Sequence, residues 1–377
     1  MPSPLGDVSC IPSILPFSVS DTLRKRAEEL CKASLAASTL ATYRSGEVAW
    51  RDYCKAYGIQ ERILAATDWD ILGFVAHLSL PKPRHELGLA HGTIKSYLSA
   101  VRSAYVRRGL PNPMPSDWPL LELVLRGVKK LGPKPKVNPK MPVTVARLQL
   151  LKESGLIDLN THHGRLLWAI FTLGVLGLFR LGELLSEEKE LVHTTETIAL
   201  EESKSVAVLL KASKTDPFRH GVTVRIFATQ EKVCAVEALS LLMGARSQEL
   251  ADAPVFAKSD GKPITKKEFI KEMNSLFARL DKQHGLSQNA RKFSGHSLRK
   301  GGATSLALRG VPDHVIQVFG RWRSWAYKLY LEYSAEFLRD QLRVMTKLTA
   351  AQVQADIGTK AGVSPACATC WDGEDVD

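Results

Sequence analysis

Residues 295–310 read GHSLRKGGATSLALRG and place a histidine and an arginine three positions apart at the start of a helical pattern. Side chains three apart lie on one face of a helix, so His296 and Arg299 should point the same way. Gly301 and Gly302 follow directly, and glycine is costly within a helix unless another group must approach the backbone closely. The stretch therefore predicts a helix that carries an imidazole beside a guanidinium and lies tightly against a neighbour, with ordinary helix packing as the favoured reason.

Positive charge is the strongest compositional feature of the chain. The formal net charge is +12, which favours a polyanionic partner, either nucleic acid or an anionic membrane. Residues 81–140 hold twelve lysines and arginines against three acids. No helix pattern in that region has the bulky apolar face of a membrane-surface helix, so we favour nucleic acid over a membrane. The predicted contact residues are Lys95, Arg102, Arg107, Arg108, Lys129, Lys130, Lys134, Lys136 and Lys140.

Neither the apolar segments nor the cysteines indicate a membrane-bound or secreted protein. The longest apolar run, residues 166–179 (LLWAIFTLGVLGLF), has 14 residues. A membrane span needs roughly 20, so we predict a buried core helix instead. The six scattered cysteines do not resemble a disulfide framework, and no signal-peptide pattern opens the chain. We therefore expect an intracellular protein. Cys367 and Cys370 alone have metal-ligand spacing, and a single pair in a tail of disordered character predicts no metal site.

Composition and hydrophobic periodicity divide the chain into five segments. Residues 1–18 are rich in Pro and Ser and are predicted to be disordered, as is the tail, residues 349–377. Apolar residues at helical spacing through residues 19–130 predict a small all-helical DNA-binding domain with basic edges. Prolines interleaved with lysines make residues 131–142 an extended linker, which either lies along a phosphate backbone or is a solvated spacer. Residues 143–348 form the second domain.

The second domain is predicted to be mainly helical, with a small β-hairpin or sheet. Helical patterns run through Leu185. Residues 205–227 (SVAVLLKASKTDPFRHGVTVRIF) then alternate between apolar and polar side chains on both sides of a loop, which predicts two strands. Helices resume after this hairpin, and Thr265 and Glu268 have the spacing of a capping box at the start of one of them.

Four stretches of the second domain place polar side chains at the border of apolar segments. In chain order they offer Arg180 with Glu183 in LGLFRLGELLS, Lys214 in LLKASKTDPFRHG, His296 with Arg299 in GHSLRKGG, and Trp322 with three tyrosines in FGRWRSWAYKLYLEYS. Each stretch alone has an ordinary explanation, such as a cation at the C-terminus of a helix for Arg180. Their order along one chain carries the functional argument.

In this order the residues resemble the tyrosine recombinase (phage-integrase-like) family. Its catalytic domain carries an Arg with an acid three residues later, a hairpin Lys, the pattern H-x-x-R, a His or Trp, and then a nucleophilic Tyr. The sequence is most similar to the eukaryotic Crypton or DIRS-like branch, in which GRW…Y replaces the more common Leu-Gly-His. The resemblance covers roughly residues 30–340. It implies a helical (SAM-like) core-binding domain and an α+β catalytic domain that form a C-shaped clamp around duplex DNA.

The resemblance also implies a role for each catalytic residue. Arg180 and Arg299 hold the scissile phosphate, because guanidinium forks match its oxygens. Tyr330 attacks phosphorus and leaves a 3′-phosphotyrosyl link and a free 5′-hydroxyl. His296 accepts and returns the proton of the tyrosine. Lys214 protonates the departing 5′-oxygen.

Two further residues support this set in the implied mechanism. Glu183 orients His296 or an arginine, and Trp322 donates its indole N–H to a phosphate oxygen. Trp322 stands where the family more often has His, which removes one acid/base candidate and leaves stabilisation only. Because one phosphoester is exchanged for another, the resemblance implies no cofactor, neither nucleotide nor metal.

Two choices of residue stay open in the sequence. Tyr327, Tyr330 and Tyr333 compete as nucleophile, and the branch spacing of eight residues after the Trp selects Tyr330. Lys211 competes with Lys214 as the general acid, but Lys211 ends a predicted strand whereas Lys214 lies in the loop.

We therefore expect a site-specific DNA recombinase or integrase of a mobile element, located in the nucleus. The family works as a homotetramer on two DNA sites. The helical pattern beyond Tyr333 either forms the contact exchanged between protomers or folds back on its own core. Two rival functions are a domesticated, catalytically silent DNA-binding protein and a type IB topoisomerase, which relaxes supercoils without joining two sites.

Overall fold

The structure of the protein is a computed structural model. It describes residues 21–81, 87–133, 140–186, 188–201, 204–212, 216, 218–245, 253–285, 292–331, 337, 339–340, 342–343 and 347. The chain separates into two compact units, Met1–Val137 and Asn138–Asp377. Each unit has its own apolar core.

Several sequence predictions fall outside the described residues. They concern the N-terminal segment 1–18, the tail 349–377 with Cys367 and Cys370, the linker residues Lys134 and Lys136, the hairpin residue Lys214, and Tyr333. Most of the predicted helix beyond Tyr333 belongs to the same group.

The described part of the first unit is helical, as predicted. Its helices are α1 (Asp21–Ala33), α2 (Ala37–Ala56), α3 (Asp68–Ser79), α4 (His91–Val106) and α5 (Pro119–Leu131). Helix α3 begins at a capping box, in which the backbone N–H of Thr67 donates to the Asp70 carboxylate at 2.8 Å. Trp50 is fully buried, stacks on Tyr53 and meets Phe74 edge-on. These aromatic rings hold α2 and α3 together.

The second unit is mainly helical and contains one small sheet. Its elements are α6 (Val145–Glu153), α7 (His162–Leu176), α8 (Leu181–Leu184), β1 (Ile198–Glu201), β2 (Ser205–Leu210), β3 (Val222–Phe227), α9 (Ala235–Gly244), α10 (Lys266–Gln283), α11 (Ser297–Ala307) and α12 (Asp313–Gly320). A 3-10 helix, Trp325–Tyr330, follows α12. Helix α10 begins at the predicted capping box of Thr265 and Glu268. The predicted fold class, mainly α with a small sheet, is confirmed.

The sheet is antiparallel and has the strand order β1-β2-β3. Val206 pairs with Ile226 across β2 and β3, and these apolar side chains are buried. The predicted hairpin is therefore present. The sequence did not predict β1, which pairs Ile198 with Val208. A strand of four residues shows too few alternations for a period of two to stand out.

Helix α7 forms the centre of the second unit. The side chain of Thr161 caps its first turn by accepting a hydrogen bond from the N–H of Gly164 at 3.1 Å. The apolar run is buried almost completely, including Trp168 and Phe171, which confirms the predicted core helix. The helix ends at Gly177, and the chain turns sharply at Leu178, whose φ is 47°.

The two glycines of α11 lie directly against protein backbone. A Cβ atom on Gly301 would overlap the carbonyl group of Val143, and one on Gly302 would overlap the carbonyl oxygen of Val175 in α7. The N–H of Val143 donates to the carbonyl of Ser297 at 3.0 Å, so the chain before α6 is hydrogen-bonded to the start of α11. The predicted close approach is confirmed, and the neighbour is protein.

Membrane spans and metal clusters are both missing from the described residues. Within the described ranges, the helices lack the combination of length and apolar character needed to cross a bilayer. The same ranges contain no group of three or more His, Cys, Asp or Glu side chains that could hold a metal ion.

Candidate active site

Arg180 and Glu183 form a compact pair at the turn from α7 into α8. The backbone N–H of Arg180 donates to one carboxylate oxygen of Glu183 at 2.9 Å, and its guanidinium Nη1 donates to the other at 2.7 Å. The pair forms because residue N3 of a helix reaches back to the N-cap residue. Only 5% of the Glu183 side chain is exposed, so its charge is held in a site shielded from water.

Three arginines surround the carboxylate of Glu183. Besides Arg180, the Nη2 of Arg321 donates to it at 3.3 Å, and the Nη1 of Arg299 lies 3.7 Å from it. Glu183 therefore contacts arginines, and the prediction that it orients His296 or an arginine stays a prediction. Arg321 was not among the predicted site residues.

Arg299 is fully buried. Its guanidinium lies over the indole of Trp322, 4.4 Å from the ring centroid, and donates to the carbonyl oxygen of Gly320. Its Nε and Nη1 have no hydrogen-bond partner within the described part of the chain. Two unsatisfied donors on a buried cation are costly, and they point to an anionic acceptor as the missing partner.

The charge of Arg299 survives burial at neutral pH. Loss of hydration, followed by repulsion from Arg180, lowers the pKa of Arg299 to about 10, while Glu183 opposes the shift. The guanidinium is still protonated well above pH 7. The site therefore presents a permanent positive charge.

Tyr330 lies at the end of the 3-10 helix, facing the start of α11. Its hydroxyl oxygen is 3.3 Å from Nδ1 of His296, where the imidazole tautomer decides which atom donates. The phenol ring lies 5.3 Å from the Trp322 ring, and its backbone carbonyl accepts a hydrogen bond from Thr304 Oγ1 at 3.1 Å. Tyr330 is half-buried and His296 is exposed, so the pair lies at the surface.

Tyr327 has a different environment from that of Tyr330. It is fully buried, and its hydroxyl donates to the carboxylate of Asp313 at 3.0 Å. The Tyr327 ring is enclosed by core residues and its hydroxyl is engaged by the exposed Asp313, whereas the Tyr330 hydroxyl lies beside His296 at the surface. The geometry therefore favours Tyr330 over Tyr327, while Tyr333 lies outside the described residues.

The predicted general acid, Lys214, lies outside the described residues, and its alternative Lys211 lies directly after β2 and is exposed. The carboxylate of Asp216 accepts hydrogen bonds from the N–H groups of Gly221, at 2.8 Å, and His220. These bonds lower the pKa of Asp216, and the charge of Arg323, one residue after Trp322, lowers it further. Asp216 is therefore within electrostatic range of Arg323.

A buried histidine beneath Glu183 was also not predicted from the sequence. Nε2 of His193 lies 2.8 Å from the carbonyl oxygen of Glu183, and Nδ1 lies 3.1 Å from Oγ1 of Thr197. Burial lowers the pKa of His193, which favours the neutral ring. Its only sequence signal was a lone histidine after α8. Arg321 had a stronger signal, because it directly precedes Trp322 in GRW.

The predicted DNA-contacting cations divide into exposed and buried groups. Arg108 is buried and donates from Nη1 to the carbonyl of Ala104 at 2.9 Å, and Arg107 pairs with the buried Glu47. Both guanidiniums bind protein groups near the C-terminal end of α4, where free backbone carbonyls attract cations. They therefore do not form a basic surface. The exposed members are Arg102, Lys129, Lys130 and Lys140, and Lys95 is half-buried.

Comparison with known proteins finds a family model that matches part of the chain. Residues 171–330 match the model of the phage integrase family. This range contains Arg180, Glu183, His296, Arg299 and Tyr330. This part of the chain is therefore similar to the phage integrase family.

One curated relative and one solved structure extend the similarity along the chain. The chain is 24% identical over 301 residues to an integrase/recombinase, a XerD homologue, of Selenomonas ruminantium, covering 78% of this chain and 80% of that protein. The site-specific recombinase XerH, solved in a post-cleavage complex with its palindromic difH substrate, aligns with a TM-score of 0.52 and 17% identity. That alignment covers 86% of this chain and 85% of XerH. At this identity the likeness shows a shared fold.

Proposed function

We propose that the protein is a site-specific DNA recombinase that cuts and rejoins duplex DNA through a covalent link to Tyr330. The observation that carries this proposal is the convergence of Arg180, His296, Arg299 and Tyr330 on one place in the second unit. Hydrogen bonds, ion pairs and ring contacts connect these residues through Glu183 and Trp322. They come from three separate elements, and the apolar core alone does not require their chemistry.

The proposed reaction begins with attack of the Tyr330 oxygen on a backbone phosphorus. The bond from phosphorus to the 5′-oxygen breaks as the new bond to Tyr330 forms. His296, 3.3 Å from the phenol, takes the phenolic proton. Lys214 gives a proton to the departing 5′-oxygen. The reverse reaction with a 5′-hydroxyl from another duplex restores the phosphodiester and frees Tyr330, so the exchange consumes no external energy.

The arginines would stabilise the negative charge that grows on the equatorial oxygens. Fixed donors aimed at developing charge typically lower barriers more than any other single effect. Arg299 has two unsatisfied donors for this purpose, but its exposed fraction is 0%. The proposal therefore includes a rotation of the Trp322 ring that uncovers Arg299 when DNA binds, while Arg321 keeps its contacts with Glu183 and the end of α7.

DNA binding is assigned to the basic residues that stay exposed. We propose phosphate contacts from Arg102, Lys129, Lys130 and Lys140, together with Lys95 and the linker residues Lys134 and Lys136. Arg107 and Arg108 are not part of this surface, because their guanidiniums serve the interior of the first unit.

The biological setting belongs to the same proposal. GRW followed by Tyr330 supports a mobile-element recombinase of the Crypton or DIRS-like branch, which implies a nuclear location. We propose a homotetramer on two DNA sites, with the segment beyond residue 335 exchanged between protomers. Deletion of residues 335–377 should leave DNA binding intact and abolish tetramers in sedimentation. Tetramers of the truncated protein on two sites would contradict this assignment.

One observation favours the catalytically silent alternative. Arg299 is enclosed beneath Trp322, and a protein that only binds DNA would have no need to uncover it. A type IB topoisomerase would use the same nucleophile. The outcomes differ, because a recombinase joins two DNA sites, a topoisomerase removes supercoils, and a binding protein forms no covalent link.

The deciding experiment uses nicked suicide duplexes with a randomised core, from which cleavage releases a short strand that cannot be rejoined. Wild-type protein should become attached to the 3′-phosphate and survive denaturing electrophoresis. Tyr330→Phe should form no adduct and keep its DNA affinity within about 1 kcal/mol, because only a hydroxyl is removed. Tyr327→Phe is the matched control and should still form the adduct. An adduct with Tyr330→Phe, or none with wild type, contradicts the proposal.

A further inference from the structure

Arg321 occupies a backbone position that normally takes glycine. Helix α12 ends in a Schellman motif, in which the N–H of Trp322 donates to the carbonyl of Gln317 at 3.1 Å and the N–H of Arg321 donates to that of Val318 at 3.0 Å. Arg321, which follows the last residue of α12, has φ 57° and ψ 37°, and this is the left-handed conformation. Glycine adopts it without strain, whereas a side chain with a Cβ is disfavoured there. The contacts of the Arg321 side chain must therefore offset the conformational cost of this backbone position.

The Arg321 guanidinium connects three parts of the site. Nη1 donates to the carbonyl of Gly177 at 3.0 Å, and Nη2 donates to the carbonyl of Leu178 at 3.3 Å and to Glu183 at 3.3 Å. Gly177 and Leu178 are the last residues before the turn that leads to Arg180. The same guanidinium lies over the Phe179 ring, 4.9 Å from its centroid. All these partners of the Arg321 guanidinium are groups of the protein.

These contacts connect Arg180 and Arg299, the two arginines proposed to bind phosphate, to the exit of α12 through Glu183. Glu183 holds Arg180 at 2.7 Å and has Arg299 at 3.7 Å, and Arg321 approaches the same carboxylate from the side of α12. A movement of the segment that follows α12 would therefore shift the Glu183 carboxylate, which contacts Arg180 and Arg299. A planar fork with several fixed donors can hold two carbonyls and a carboxylate together, and an ammonium group cannot reproduce that geometry.

We infer that Arg321 is a positioning residue for strand cleavage, which holds Glu183 and the end of α7 so that Arg180 and Arg299 keep their orientation. This inference rests on the proposed function, because it needs a cleavage reaction on which positioning acts. Arg321 itself touches no substrate in this assignment. It acts through Glu183.

The test compares Arg321→Gly with a matched control elsewhere in the unit. Gln230→Gly relieves the same left-handed strain, since Gln230 has φ 54° and is exposed. Arg321→Lys keeps the charge without the fork. Each variant is assayed for adduct formation in a single turnover on the nicked duplexes with a randomised core, for affinity to a linear duplex of mixed sequence, and for its thermal unfolding midpoint.

We expect Arg321→Gly to bind DNA within about threefold of wild type and to form the adduct at least roughly tenfold more slowly. Arg321→Lys should restore little of the rate, and Gln230→Gly should cleave like wild type. In a Glu183→Gln background, Arg321→Gly should cause a much smaller further decrease, because both changes break the same ion pair. Decreases that multiply independently in the double variant, or that follow the unfolding midpoint alone, would assign Arg321 a structural role and overturn the inference.

Failure of the inference and failure of the proposed function give different results. If wild type forms an adduct and Arg321→Gly forms it at the same rate, the positioning role is wrong and the recombinase assignment stands. If wild type forms no adduct on the whole pool, the recombinase assignment is wrong and the positioning role falls with it.

Discussion

Two buried glutamates, one in each unit, pair with arginine in different settings. Glu47 in α2 forms an ion pair with Arg107 at the end of α4. Glu183 meets Arg180, Arg299 and Arg321, so three positive charges less one negative leave a surplus of two. An ion pair at the end of a helix stabilises the fold, whereas a surplus of positive charge favours an anion as a further partner. Under the proposed function that anion is the scissile phosphate, and the Glu183 cluster is a binding site as well as a structural contact.

The largest expected effect separates the two arrangements by mutation. Arg299→Ala should slow adduct formation by roughly 10²–10³-fold, the usual effect of removing one fixed donor to a transition state. Arg107→Ala should lower the free energy of unfolding by roughly 1.5–3 kcal/mol, because a buried carboxylate is deprived of a charged hydrogen bond. Single-turnover cleavage and chemical denaturation measure the two effects. The comparison breaks if Arg107→Ala abolishes cleavage in a folded protein or if Arg299→Ala cleaves normally.

Replacement of Lys214 tests the proposed proton donor to the departing 5′-oxygen. Lys214→Ala should slow cleavage of ordinary DNA by about a hundredfold, which is within the range of general acid catalysis. A substrate with sulfur in place of the bridging 5′-oxygen should restore the rate, since a thiolate leaves without a proton. Lys211→Ala on the same two substrates serves as the control. Absence of rescue, with DNA binding intact, would move the acid role away from Lys214.

The dependence of DNA affinity on salt concentration distinguishes the lysines of the linker from the enclosed Arg299. Replacing Lys134, Lys136 and Lys140 with Gln should flatten the plot of log affinity against log salt by roughly 0.9 for each phosphate that these side chains neutralise. Arg299→Lys should leave that slope close to the wild-type value, because the charge is kept and is shielded from mobile ions. Fluorescence anisotropy over a salt series gives both slopes. An unchanged slope in the triple variant would mean that the linker is a solvated spacer.

The smallest effect concerns the ring that covers Arg299. Trp322→Phe keeps an aromatic face over the guanidinium and removes the indole N–H. If that N–H donates to the phosphate, cleavage should slow by roughly tenfold, since a hydrogen bond to a charged group contributes at least about 1.5 kcal/mol. Trp325→Phe, at an exposed tryptophan nearby, should cleave at the wild-type rate. Equal rates for the two variants would leave Trp322 a packing role alone.

The sequence predicted those parts of the site that depend on local spacing. His296 and Arg299 belong to one helical turn, and Gly301 and Gly302 meet the backbones that their small size indicated. The buried run before Arg180 is a core helix because its length and composition allow no other placement. Each of these features depends either on residues that are close together in the sequence or on the size of a side chain.

Contacts between distant segments were beyond prediction from the sequence alone. Arg321 reaches Glu183 across 138 residues, and no periodicity encodes that distance. Arg107 and Arg108 were assigned to a basic face by extending a helical pattern beyond Val106, where α4 ends. After the helix ends the backbone no longer rotates by a fixed angle per residue, so a side chain can fold back onto the free carbonyls.

The hydrogen bond between Val143 and Ser297 attaches the end of the linker to the helix that carries Arg299. Residue 143 follows the linker directly, and Ser297 precedes Arg299 by two positions. A second link lies beside it, since the ammonium group of Lys300 donates to the carbonyl of Lys140 at 3.1 Å. If DNA holds the linker as proposed, a force on the linker would reach the first turn of α11 and with it the orientation of the Arg299 guanidinium.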